Sequence, residues 1–171
     1  KKELSEMYGQ PMILNFWAGQ YPPCRAEMPQ FQAFYEYFKD EIMLLGVDIG
    51  IFTGLGTRSD AESLLRELVI TYLSGWTDDR TVPNKYRVTA MPTTVFISSD
   101  GTIFEKSVGA IDANFLARVS QELLAAESTA RTSGRSSLAR PGQWPDTMPS
   151  TITRWTSSRR FVPDRGRCSS R

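Results

Sequence analysis

The chain has 171 residues, 40% of them hydrophobic and 23% charged, a composition ordinary for a globular protein that can bury its own core. It has no histidine, which excludes His-based triads, His metal ligands and a His pH switch, and its two cysteines, Cys24 and Cys168, form neither a disulfide framework nor a zinc spacing. The net charge of +1 conceals two unlike parts: residues 1–127 carry 11 basic against 17 acidic side chains, whereas residues 128–171 carry 9 Arg against 2 Asp.

Lys1 to Gln10 lacks the apolar core of a signal peptide, and no run of about 18 apolar residues marks a transmembrane helix. With only ten residues before the first strand, a missing N-terminal segment carrying a targeting signal or anchor is expected, and any membrane attachment would run through it. The run Met12 to Trp17 is rich in strand formers. Pro22, Pro23 and Cys24 then open a segment whose apolar residues Met28, Phe31, Phe34 or Tyr35, and Phe38 follow helical spacing. That pattern predicts a strand, a turn and a helix with a thiol in the helix's first turn. Unpaired N–H groups and the positive end of the helix dipole predict a lowered thiol pKa there.

Ile42 to Ile49 reads as a second apolar strand, followed by a loop over 50–59 with Gly54 and Gly56. Its Gly-Leu-Gly-Thr-Arg lacks both the P-loop lysine and the dinucleotide fingerprint, so no cofactor is expected. Ser59 or Asp60 is expected to cap a helix bearing Leu64, Leu65, Leu68 and Val69. Ile70 to Gly75 suggests a short strand and Thr81 to Tyr86 a short helix. After Met91-Pro92, Thr93 to Ser98 is strongly β-prone, Ser99 to Thr102 forms a hairpin turn, and Ile103 to Val108 returns beside it. Asp112 caps a last helix with Phe115, Leu116, Val119, Leu123 and Leu124 on its apolar face. Strands and helices that alternate and then close with a hairpin and a helix predict an α/β fold: a central mixed sheet, helices on both faces and an antiparallel edge.

From Ser128 the periodicity stops. Ser and Thr make up 15 of the last 44 residues, and Gly, Pro and isolated Trp are scattered without a face. Arg with Trp144 and Trp155 has the chemistry to bind phosphates and stack, but the composition is that of a segment unable to order itself. The expectation is a folded domain over 1–127 and a disordered basic tail over 128–171, with no nucleic-acid role for the folded part and Cys168 an incidental thiol.

Asn15-Phe16-Trp17-Ala18, then Pro22-Pro23-Cys24-Arg25-Ala26-Glu27-Met28-Pro29, then Met91-Pro92-Thr93-Thr94-Val95-Phe96-Ile97 closely resembles the thioredoxin-like redoxins of the TlpA/ResA type. The resemblance spans about residues 3 to 126, including the helical insert after Ile49. It implies a thioredoxin-like fold and an extracytoplasmic, often membrane-tethered thiol–disulfide oxidoreductase, in some relatives serving cytochrome c maturation. It also implies partners that are protein thiols or disulfides or apocytochrome-like Cys peptides, and a monomer. In that family the turn carries Cys-x-x-Cys, frequently Cys-Pro-Pro-Cys. Here it is Tyr21-Pro22-Pro23-Cys24, with Tyr21 where the attacking cysteine would stand.

A dithiol cycle needs one thiolate to form the mixed disulfide and a second to resolve it. Tyr21 has no sulfur, so the two-cysteine cycle cannot run on this turn. By the resemblance, Cys24 is the resolving cysteine and Glu27 an acid that tunes thiol pKa values. Pro92 is a cis-proline next to Met91, where substrate backbone pairs. Asn15 stands where classical thioredoxins have a buried Asp, and Trp17 walls the turn. The expected catalytic pair is thus Cys24 and Glu27, and the expected substrate-contacting residues are Trp17, Tyr21, Pro22, Pro23, Met91 and Pro92. Three functions stay open at this point: at most monothiol chemistry through Cys24, a non-enzymatic module for extended Cys-containing peptides, and a one-Cys peroxidase. Peroxiredoxins also keep only the helix-side cysteine, but with threonine three residues before it. Blander readings stay open too, with Cys24 as a small core residue and Glu27 as a solvated helix residue.

Overall fold

The computed structural model describes residues 9–132 and the backbone of 154–156. The apolar run Met12–Trp17 is strand β1, buried at every position, as expected of a central strand covered on both faces. Helix α1 follows over Pro22–Phe38, with prolines in its first positions, where a missing N–H costs nothing. Next come β2 (Met43–Asp48), the single-turn α2 (Gly50–Thr53), α3 (Arg58–Glu67), β3 (Leu73–Trp76), α4 (Thr81–Lys85), β4 (Thr93–Ile97), β5 (Ile103–Val108) and α5 (Ala113–Thr132). A three-residue β6 (Arg154–Thr156) completes the order.

The sheet runs β5-β4-β1-β2-β3-β6. β1, β2 and β3 are parallel, with Met12 opposite Met43 and Trp17 opposite Asp48 on the first rail. β4 is antiparallel to β1, β5 to β4, and β6 to β3. Alternate residues of β1 feed two cores. Ile13 and Trp17 pack with Met28 and Phe31 of α1, Leu64 of α3, and Leu116, Val119 and Leu123 of α5. Met12, Leu14 and Phe16 pack on the opposite side with Val82 and Tyr86 of the α4 region. The thioredoxin-like mixed sheet expected from the sequence is therefore present.

Four boundaries differ from expectation. The cap of α3 is Thr57, not Ser59 or Asp60: its hydroxyl accepts from the Asp60 amide while the Asp60 carboxylate accepts from the Thr57 amide at 2.7 Å, a reciprocal capping box. The 50–59 loop contains α2, ended by Gly54 at φ +71°. β3 begins at Leu73, because Ile70 and Tyr72 point into the helix-side core instead of pairing from Ile70 onward. α5 continues to Thr132, past the point where apolar periodicity fades, and β6 arises from within the basic segment; the rest of that segment, with Cys168 and Trp144, lies outside the described residues.

Candidate functional site

The site forms where β1 ends. Tyr21 is the N-cap residue of α1 in extended conformation, and its amide donates to the Ala18 carbonyl at 3.1 Å, closing a tight turn. Pro22 and Pro23 follow, Pro22 exposed, and Cys24 is the third helical residue. Facing this turn is the Met91–Pro92 peptide bond, which is cis as the resemblance implies. Thr93 Oγ1 donates to the Ala90 carbonyl at 2.7 Å, and the Pro92 carbonyl accepts from the Gly109 amide at 2.8 Å, so this strand entry is held on both sides.

Tyr21 and Met91 share a cavity of about 330 Å³ with Ile49, Leu55, Val88 and Thr89. Its walls are largely apolar and come from the site turn, the insert after β2 and the segment before the cis-proline. Other predicted residues stand elsewhere. Trp17 is wholly enclosed, and its indole N–H lies over Gly46 of β2, where an added Cβ would come within 2.9 Å of Nε1. It is a wall of the core, not of the cavity. Pro92 is buried beside Met91.

Cys24 is 0% exposed. The helix-terminus argument predicted a lowered thiol pKa, and the structure corrects it. Burial pushes the thiol up to about 12, with the Glu27 and Asp48 carboxylates adding to the rise and a backbone hydrogen bond from Ala18 only partly opposing it. Desolvation of a charged sulfur outweighs the partial charge of a helix end. At neutral pH Cys24 is therefore a protonated, enclosed thiol, and no described cysteine stands near it as a partner.

Glu27, one helical turn on, is not the solvated residue that base rates favour. It is 1% exposed, its Oε1 accepts from Asn15 Nδ2 at 2.9 Å and its Oε2 from the Ile111 amide at 3.2 Å. Asn15 also donates to Thr94 Oγ1 at 3.1 Å, so β1, β4, α1 and the entry to α5 meet at one polar knot. Burial raises the Glu27 carboxyl to about 7, with its two hydrogen bonds acting in the other direction. That knot joins Asn15 and Glu27 behind the turn, with the Glu27 carboxylate acting on Cys24 through its charge, while Tyr21 and Met91 line the open side. Sequence reasoning missed one acid here: Asp48, 3% exposed at the end of β2, whose signal was a lone carboxylate closing an otherwise apolar run. Among the described residues no group of acidic or cysteine side chains is arranged to hold a metal ion, and no helix is long and apolar enough to cross a membrane.

Comparison with known proteins is consistent with this geometry. Residues 1–106 match the model of the AhpC/TSA family. The thiol-disulfide oxidoreductase ResA of Oceanobacillus iheyensis is 34% identical over 109 residues, covering 64% of this chain and 55% of that protein. The sporulation thiol-disulfide oxidoreductase A of Bacillus subtilis is 25% identical over 114 residues, covering 67% and 68%. The chain thus spans little more than half the length of the first of these relatives. The crystal structure of StoA from Bacillus subtilis superposes with a TM-score of 0.60 at 25% identity over 66% of this chain and 84% of that one. A thiol:disulfide interchange protein DsbE from Chlorobium tepidum gives 0.62 at 25% identity over 71% and 84%.

Proposed function

The chain belongs to the AhpC/TSA family and to its thioredoxin-like thiol–disulfide oxidoreductase relatives, and on that premise we propose that it binds an extended, Cys-containing peptide segment at the Tyr21–Met91 cavity without running a two-cysteine redox cycle. The observation that carries this reading is the division of the site: a tyrosine on its open side, and a fully enclosed, protonated thiol on its closed side. Formation of a mixed disulfide needs a thiolate that can reach the incoming sulfur. Cys24 meets neither condition in this conformation, so monothiol exchange is limited to moments when the turn opens. The same two deficits weigh against a peroxidase role, since sulfenic acid formation follows thiolate character and exposure. What supports a binding role is the cis Met91–Pro92 bond, with Tyr21 and Met91 lining one largely apolar cavity. An extracytoplasmic setting and apocytochrome-type partners are readings that rest on the family resemblance.

Tyr21→Cys tests the division directly. The unmodified chain is expected to leave insulin disulfides intact under dithiothreitol beyond the background rate, and Tyr21→Cys to confer turnover, because one residue restores the second sulfur. A dye-labelled extended Cys-containing peptide is expected to bind with an affinity that survives Cys24→Ser and weakens in Tyr21→Ala. Wild-type turnover abolished by Cys24→Ser would overturn the reading and make Cys24 the reactive group.

A further inference from the structure

β5 is the edge strand of the sheet, and a lysine on an edge strand is most simply a solvated charge that discourages pairing with a further strand. Lys106 is used otherwise. It stands directly opposite Val95 of β4, and opposite residues of an antiparallel pair share a face. Its side chain therefore turns to the α4 side, where Val95 packs with Phe16, Val82 and Tyr86. There its Nζ donates to the Tyr86 carbonyl at 3.0 Å and to the Arg87 carbonyl at 2.7 Å. Among the described residues the ammonium forms no ion pair with a carboxylate, so its charge acts on backbone oxygens.

Those two carbonyls lie where α4 gives way to a wall of the cavity. Tyr86 is the C-cap residue of α4. The Arg87 amide donates to the Asn84 carbonyl and the Val88 amide to the Pro83 carbonyl, both at 2.9 Å. Arg87 itself is left-handed at φ +49°, a conformation uncommon for a residue with a side chain. The next four residues, Val88, Thr89, Ala90 and Met91, line the cavity that Tyr21 shares. At the far end of this wall the Pro92 carbonyl accepts from the amide of Gly109, the residue after β5. Residues 88–91 are thus held from the β5 side at both ends.

We propose that Lys106 is a positioning residue: by holding the Tyr86 and Arg87 carbonyls at once, its ammonium fixes the course of residues 88–91 and with it one wall of the Tyr21–Met91 cavity. Its bearing on ligand binding rests on the reading of that cavity as a peptide site. The residue type suits the task. An ammonium carries three donors on a flexible stem, and a cation is favoured beside the last carbonyls of a helix. α4 has five residues, too short to hold this turn by its own helical hydrogen bonds.

Lys106→Met keeps the apolar stem and removes every donor, whereas Lys106→Arg restores charge and donors. NMR of the full chain under conditions where each variant is fully folded is expected to show the Val88 and Met91 methyl signals displaced in Lys106→Met and returned in Lys106→Arg. The Leu64 and Leu123 methyl signals, in the core on the other side of the sheet, are expected to stay in place. Affinity for the dye-labelled extended Cys-containing peptide is expected to fall about tenfold in Lys106→Met, the scale of one hydrogen bond to a charged group, and to recover in Lys106→Arg. A contribution to overall stability alone would leave the folded Lys106→Met variant with wild-type methyl signals and wild-type affinity. Unmoved Val88 and Met91 signals, displacement equally large at Leu64 and Leu123, no recovery in Lys106→Arg, or unchanged affinity in Lys106→Met would overturn the proposal. A wild-type chain that binds no peptide would overturn the peptide reading instead, and the methyl signals would then decide the role of Lys106. Should Lys106→Met fail to fold, Lys106→Gln is judged by the same signals.

Discussion

Glu27 shows how a single side chain can be buried and still hold a proton near neutrality. Burial raises its carboxyl to about 7, while the Asn15 amide and the Ile111 N–H each favour the ionised form. Removing one of those donors must therefore move the midpoint further up. A hydrogen bond to a charged group contributes roughly 1.5–3 kcal/mol, and one pKa unit corresponds to about 1.4 kcal/mol. Asn15→Ala is expected to raise the Glu27 midpoint by about one to two units, read from its side-chain carboxyl carbon by NMR. A midpoint that stays put or falls would mean that Asn15 does not govern this acid. Cys24 illustrates the converse. Its place in the first helical turn was legible from the prolines before it, but the sign of its pKa shift was not, because the sign is set by Trp17, Met28 and the other core residues that close over it.

The elements that position the site were the ones the sequence stated most clearly. β1 and α1 follow from an unbroken apolar run, two prolines and a three-to-four aromatic stripe, and β4 follows from its β-branched residues after Pro92. The hairpin turn has Gly101 at φ +86°, and the Asp112 carboxylate caps the Phe115 amide at 2.7 Å, both as read. The insert was less legible for physical reasons. α2 is too short to show a period, and the Thr57 cap depends on a reciprocal pair with Asp60 instead of on the residue nearest the apolar stripe. Gly19 was silent in sequence, since its role is the contact it permits with a segment forty residues away. Gly19→Ala would place a Cβ 2.8 Å from the Ala61 nitrogen and 3.0 Å from the Asp60 carbonyl carbon, both backbone atoms with little room to yield. The expected cost is about 1–3 kcal/mol, read as a lower urea midpoint. A neutral outcome would show that α3 can slide off the turn.

At the scale of the molecule, two buried carboxyls with raised pKa values set how stability depends on pH. Glu27 lies at about 7 and Asp48 at about 6 in the folded chain, against 4.5 and 3.8 for the free side chains. A group whose folded pKa is raised binds its proton more tightly when folded, so its contribution is complete below the unfolded value and is lost as pH rises through the folded value. The loss therefore runs from about pH 4 to 7, at most about 3 kcal/mol for each group. Cys24, raised to about 12, extends the same trend into the alkaline range. Asp60 and Asp79 are lowered and act in the opposite sense, but both are solvent-screened at the surface and weigh little. Protonating Asp48 relieves a buried charge, and this favours the folded state. Urea unfolding of the full chain is expected to give a higher midpoint at pH 5 than at pH 8, with Glu27→Gln removing the part of the slope nearest pH 7 and Asp48→Asn the part nearest pH 6. A midpoint that rises between pH 5 and 8 would contradict the burial of both acids.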